Sequence, residues 1–372
     1  MNTQWVLGPS LVMAFVIGLS LVLFYLMPRL TRPDVYFAVT VPPEFRDSAE
    51  GWSILNRYRV EATVFGVLAL LIVLAAARIH EPNYMMVVTL AGLFLQLVGA
   101  FFAYYRARGR VLPHATAPAT IREAVLVPRE TRLPGGWRLQ FPPFALLAAT
   151  AIWMHLHWSQ IPEVFPIHWG ANGQPNNWAA RSFRGVYGPL MIGAVLCALM
   201  GFMAYAMLRW SRPIRVGGAA GAGERRFRLL VVSIIVGTEY FLALLFMWTA
   251  LLPLSHKQAG PPGLIPVLVF SLAFTVAIVA LMMRLGQGGT RLAGAAAARC
   301  KAVAPVGDRT PDQYWKLGLF YINRNDPALF VESRFGIGYT LNFGHPGAWV
   351  FLAVLVAVTV AIVLIVPSHH RP

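Results

Sequence analysis

Apolar residues gather along this chain in eight long stretches: 5–27, 62–79, 85–105, 141–158, 187–208, 229–252, 264–283 and 347–366. A helix needs about 20 mostly apolar residues to cross the hydrocarbon of a bilayer, so each stretch predicts a membrane-spanning helix. The opening "MNTQW" carries no basic region and the run behind it is too long for a secretion signal, so the first stretch is expected to remain as a helix. The predicted fold class is an all-α integral membrane protein with about eight transmembrane helices.

Composition agrees. Of 372 residues, 57% are hydrophobic and 12% charged, where a soluble domain carries about 25% charged residues; the mean hydropathy is +0.60. The net charge of +16 raises the question of nucleic acid, and the placement of the charges answers it. Of the 31 basic residues, 26 fall in the loops after the first, third, fifth and seventh spans, and 5 lie elsewhere. The positive-inside rule then puts those loops in the cytoplasm and both termini outside. The basic residues read as topology signals attracted to anionic lipid, and no nucleic-acid partner is expected. Cys197 and Cys300 fall in a span and an inner loop, so no disulfide is implied.

The pattern divides the chain into 1–140 with three helices and basic loops, 141–210 with helices four and five around an external insert, 211–286 with helices six and seven, a Gly/Ala-rich linker at 287–312, a small aromatic cytoplasmic element at 313–346, and the last helix with a short external tail at 347–372. The first inner loop, "YFAVTVPPEFRDSAEGWSILNRYRV", reads as a short β-like run, a Pro-Pro break and an amphipathic helix; the loop at 106–140 reads as irregular or short strands.

The external insert is "IPEVFPIHWGANGQPNNW", residues 161–178. Pro162 and Pro166 hold it extended, Asn172-Gly173 signals a tight turn, and Trp158, Trp169 and Trp178 suit a membrane interface. It is expected to be a preformed cap, and preformed surfaces lose less entropy on binding. His168 invites a metal reading, but His155 and His157 are two apart and point to opposite sides of a helix. No metal-ligand spacing, paired acid and base, or nucleophile motif is present, so neither a metal, a cofactor nor an enzymatic activity is expected.

Two segments resemble known families. Pro162, Pro166, Ile167, His168, Trp169, Gly173, Pro175 and Trp178 are similar to the pattern of an uncharacterised domain of bacterial multi-pass membrane proteins, one shared with SdpI-type immunity proteins. Tyr314, Trp315, Gly318, Phe320, Tyr321, Asn323, Asp326, Pro327, Gly336, Ile337, Gly338, Leu341, Asn342 and Phe343 resemble a second uncharacterised domain. The first resemblance implies a bacterial cytoplasmic membrane, and a protein that protects against a secreted toxic peptide and signals its presence. On that view the cap residues Pro162, Pro166, His168, Trp169, Gly173 and Trp178 meet a secreted peptide or envelope component. Tyr314, Trp315, Tyr321, Asn323, Asp326 and Asn342 of the inner element serve a regulatory protein.

One acidic residue, Glu239, falls well inside a span. Ten residues past Leu229 it is expected about 15 Å deep, where a charge costs at least about 2.5–3.5 kcal/mol. Its own helix face offers only apolar neighbours, so the partner must come from another helix; depth suggests Gln96, Thr150 or His155. Glu239 is expected either to be protonated and to hydrogen-bond between helices, or to exchange a proton in a transport cycle. The latter gives a second function, a proton-coupled transporter, for which Gly92 and Gly237 hint at broken helices.

Overall fold

The computed structural model describes residues 3–79, 81–117, 132–169, 175–214, 218–254, 261–291 and 310–365. Among these residues eight helices are long and apolar enough to cross a membrane, the architecture of a multi-pass membrane protein. They are α1 (Thr3–Leu30), α2 (Ala49–Ala76), α3 (Pro82–Val111), α4 (Phe141–Leu156), α5 (Phe183–Trp210), α6 (Gly218–Leu251), α7 (Pro261–Leu285) and α8 (Pro346–Ile365). The expectation of an all-α chain needs one correction. Four antiparallel two-stranded hairpins join the helices: β1–β2 (Val35–Tyr36, Val39–Thr40), β3–β4 (Val164–Trp169, Pro175–Ala180), β5–β6 (Trp315–Lys316, Phe320–Tyr321) and β7–β8 (Phe330–Glu332, Tyr339–Leu341). Where a connection carries alternating apolar residues and bends back on itself, pairing its own backbone satisfies the polar groups that a buried loop would strand.

The chain divides into two compact units. The first comprises 1–127, 214–224 and 282–345; the second comprises 128–213, 225–281 and 346–372. In the first, α1, α2 and α3 pack as neighbours. Glycines let the helices close up: a methyl group on Gly66 would strike Leu21, and one on Gly99 would strike Phe65. α2 starts well before the apolar run at 62, because Ser48 caps it by accepting from Gly51 N (3.0 Å).

Below this bundle lies a platform made of the connections. The β1–β2 turn puts Phe37 and Ala38 at φ +46° and +57°, a left-handed geometry that costs an ordinary residue about 1–2 kcal/mol. Burial offsets the strain. Phe37 is 1% exposed and its ring packs on Tyr58 (5.1 Å) and Tyr104 (5.6 Å), while Arg108 Nη1 donates to the carbonyls of Phe37 (3.1 Å) and Ala38 (2.6 Å). Arg46 donates to Pro28 O at the end of α1 (2.7 Å) and to Val35 O of β1 (2.8 Å). Burial lowers the Arg46 guanidinium to about 10, so it remains a cation near neutrality.

Two more buried arginines tie distant pieces of chain to this turn. Arg32 bridges Glu332 (2.6 Å) and Glu224 (2.9 Å). Burial alone would lower the Arg32 guanidinium; the two carboxylates outweigh burial and hold it above its ordinary value. Arg334 bonds Asp312 Oδ1 (2.5 Å), Thr40 Oγ1 (3.0 Å), Ala38 O (3.2 Å) and the Thr310 carbonyl. Phe335 wedges between Phe101 (5.3 Å) and Tyr104 (4.8 Å) of α3. Both described ends of the segment read as a linker, 287–312, are held by contacts. At one end Gln287 exchanges two hydrogen bonds with Gly338; at the other, Thr310 and Asp312 belong to the Arg334 cluster. Residues 292–309, with Cys300, lie outside the described residues.

In the second unit α4 packs on α5 and α5 on α8. Gly193 of α5 brings the Phe246 side chain of α6 close, and Phe241 stacks on Phe274 of α7 (4.5 Å, 3°). Gly92 and Gly237, expected at helix breaks, sit inside unbroken helices.

Candidate functional site

The insert at 161–178 folds as the β3–β4 hairpin. Phe165 pairs with Ala179 and Pro166 with Trp178; the register then shifts on both sides of His168, which pairs with Asn177. Pro166 has no N–H to donate, and an irregular ladder around a proline follows from that. Phe165 (3% exposed) and Ala179 point into a core shared with Met154 of α4 and Val186 of α5. Pro162 precedes the strand, and Arg181 Nη1 donates to Ile161 O across the base (2.9 Å). Ser182 caps α5 through Gly185 N (3.1 Å). The hairpin is thus seated on the helix ends by its own side chains. Gly173 and the Asn172-Gly173 turn lie outside the described residues.

The histidines do not converge. His168 is exposed and its Nδ1 lies 2.5 Å from Asn176 Oδ1; His157 stacks on Trp153 (4.2 Å); His155 Nδ1 is 3.4 Å from the Tyr187 hydroxyl. Among the described residues no three His, Cys, Asp or Glu side chains are placed to hold a metal ion. Trp169 and Trp178 are half-buried on the hairpin, and Trp158 stacks on Tyr187 (6.1 Å, 25°).

What the sequence did not disclose is a groove of about 670 Å³ between α4 and α5. Phe144, Leu147, Ala151 and Ile152 form one wall; Phe183, Leu190, Met191 and Ala194 form the other. Polar atoms enter it at one end, where His155 meets Tyr187 beneath the hairpin. From Phe144 to His155 it runs about 16 Å along α4 at 1.5 Å per residue. A channel of this shape accepts a slender apolar body with a polar terminus.

Glu239 stands in the same unit, 0% exposed, with no hydrogen bond to either carboxylate oxygen among the described residues. The partners expected by depth are engaged elsewhere. Thr150 Oγ1 donates to Leu146 O on its own helix (2.8 Å), and His155 faces Tyr187. Gln96 belongs to the other unit, where it donates to Ile17 O (2.9 Å) and accepts from Ser20 Oγ (3.0 Å). Gln140 is buried nearby, and among the described residues its Nε2 has no partner. A methyl group on Gly201 would lie 2.8 Å from Gln140 Oε1 and 3.8 Å from Glu239 Oε2, so both side chains converge on a bare patch of α5. Cys197, one turn away, donates to the Glu239 carbonyl (3.4 Å), and Tyr240 donates to Leu139 O (2.7 Å). Glu239 is therefore level with the start of α4. Thr150 is about 15 Å further along that helix, which is why counting depth from residue 229 chose the wrong partner.

The polar residues of 313–346 form one network. Asn342 Nδ2 donates to the carbonyls of Asn323 (2.8 Å), Asp326 (3.1 Å) and Ala328 (3.2 Å), and its Oδ1 accepts from Asn323 N and Gly344 N (3.0 Å each). Tyr321 donates to Asp326 (3.0 Å) and accepts from Asn323 Nδ2 (3.1 Å); Trp315 Nε1 donates to Thr310 (2.8 Å), and Tyr314 packs on Tyr321 (6.2 Å). These groups hold four short strands together.

Comparison with known families places a match on each of these two regions. Residues 145–193, which hold nearly all of the groove and the whole hairpin, match a family described as Domain of unknown function (DUF1648). Residues 324–349 match a Family of unknown function (DUF5808). No curated protein and no solved structure matches the chain.

Proposed function

We propose that this protein is a membrane receptor for an apolar or amphipathic component of the cell envelope or a secreted peptide. The groove carries the reading: it is built on the two helices that seat the β3–β4 hairpin, it lies within one matched domain, and its polar end meets that hairpin. By the positive-inside reading the hairpin faces outward from a bacterial cytoplasmic membrane. The resemblance to immunity proteins favours a peptide ligand, and the platform around 310–345 is the element available to a regulatory protein inside. In nanodiscs, a pyrene-labelled acyl probe should bind the wild type about tenfold more tightly than Ala151→Trp, which fills the groove, a difference of about 1.4 kcal/mol. Equal binding by a folded Ala151→Trp protein sinks the reading.

A second reading, a proton-coupled carrier, draws on the buried and unbonded Glu239 carboxyl near Gln140. It requires that Glu239→Gln abolish the pH dependence of any flux measured in proteoliposomes; persistence of that dependence removes it.

A further inference from the structure

The β5–β6 turn shares the left-handed centre of the β1–β2 turn, in a loop one residue longer. Leu317 and Gly318 occupy its centre at φ +55° and +73°, and Leu319 N donates back to Lys316 O (3.1 Å). Turns of this kind favour Asn-Gly, because the first central residue is left-handed. In the β1–β2 turn the strained Phe37 is buried in the core. Leu317 is 54% exposed, so burial does not offset its strain. Phe320 and Ile322 beside it are also exposed, and Phe343 packs edge-on against Phe320 (5.6 Å). Exposed apolar residues clustered on a strained tip mark a contact surface.

The position of the tip names the partner. A methyl group on Gly318 would lie 2.7 Å from Ala38 Cβ and 3.1 Å from Arg108 Nη1, so the two turns stack back to back beside Arg108 of α3. The exposed side of α3 is apolar at Phe102 and Tyr105 and turns basic at Arg106 and Arg110, on either side of Arg108. The tip therefore sits where the apolar face of α3 gives way to basic residues, the level of a bilayer's polar interface. Lys316 and Arg324 flank it and are exposed, the charges that lipid phosphates attract.

We propose that Leu317 and Phe320 insert into the bilayer interface, so that the 310–345 element holds the membrane through a turn as well as through its packing on the bundle. This inference is independent of the groove. It is tested on the full chain, with Cys197 and Cys300 replaced by alanine, in nanodiscs of phosphatidylcholine and phosphatidylglycerol. A fluorophore is placed at Leu317→Cys, Phe320→Cys or, as a wet control, Asn325→Cys. Lipids brominated in their chains should quench the labels at 317 and 320 about threefold more than the label at 325. Leu317→Asn suits the turn and preserves the fold; it should remove about half of the quenching at 320. Equal quenching at all three positions overturns the proposal. So does shielding of 317 and 320 from aqueous iodide without quenching by brominated lipid, which would assign the tip to a protein. Full quenching at 320 in Leu317→Asn overturns the part given to Leu317.

Discussion

The platform of the first unit and the α4–α6 region of the second both bury charge, and they treat it in opposite ways. In the platform, Arg32, Arg46, Arg108 and Arg334 each reach two or more carbonyls or carboxylates. Among the described residues the Glu239 carboxyl has none. Removing a charge from water is repaid only by several well-placed partners, so the platform reads as a clasp. A buried carboxyl left without partners contributes little to holding helices together. The groove extends the contrast, since it leaves apolar surface uncovered beside the seated hairpin.

Three substitutions sharpen that contrast. Arg334→Met leaves the half-buried Asp312 and the Thr310 carbonyl without their cation and should lower stability by about 3 kcal/mol, read as a fall in melting temperature of the purified protein in detergent. Gly201→Ala pushes a methyl group against Gln140 Oε1, the end of a flexible side chain, and should cost about 1–2 kcal/mol in the same assay. Glu239→Gln removes a group that no partner misses and should change stability by less than about 1 kcal/mol. If Glu239→Gln destabilises as much as Arg334→Met, the carboxyl belongs to the scaffold and the contrast collapses.

Much of the fold was legible in the chain. Helix length and hydropathy located all eight spans, because lipid forces backbone groups to bond within the segment. The prolines of 161–178 announced a rigid insert, and the Asn, Asp and Tyr residues of 313–346 announced a folded element. Three things were hidden for physical reasons. The arginines counted as topology signals also form the clasp, and a charge count does not distinguish a solvated Arg57 from a buried Arg334. The Phe37-Ala38 turn carries no turn residue; long-range packing imposes its left-handed backbone. Gln140 and the groove arise from the level at which α4, α5 and α6 meet, and an apolar run leaves that level open by several residues at each end.

The groove between α4 and α5 should differ from the rest of the exposed apolar surface in binding a ligand. The direct measurement is photolabelling in proteoliposomes with a diazirine-bearing palmitoyl probe, the labelled positions being mapped by mass spectrometry. The prediction is labelling concentrated at groove residues such as Ala151, Ile152 and Met191, and reduced there by Ala151→Trp. Labelling spread evenly over these and other exposed apolar positions, such as Phe94 of α3 and Val360 of α8, would contradict it.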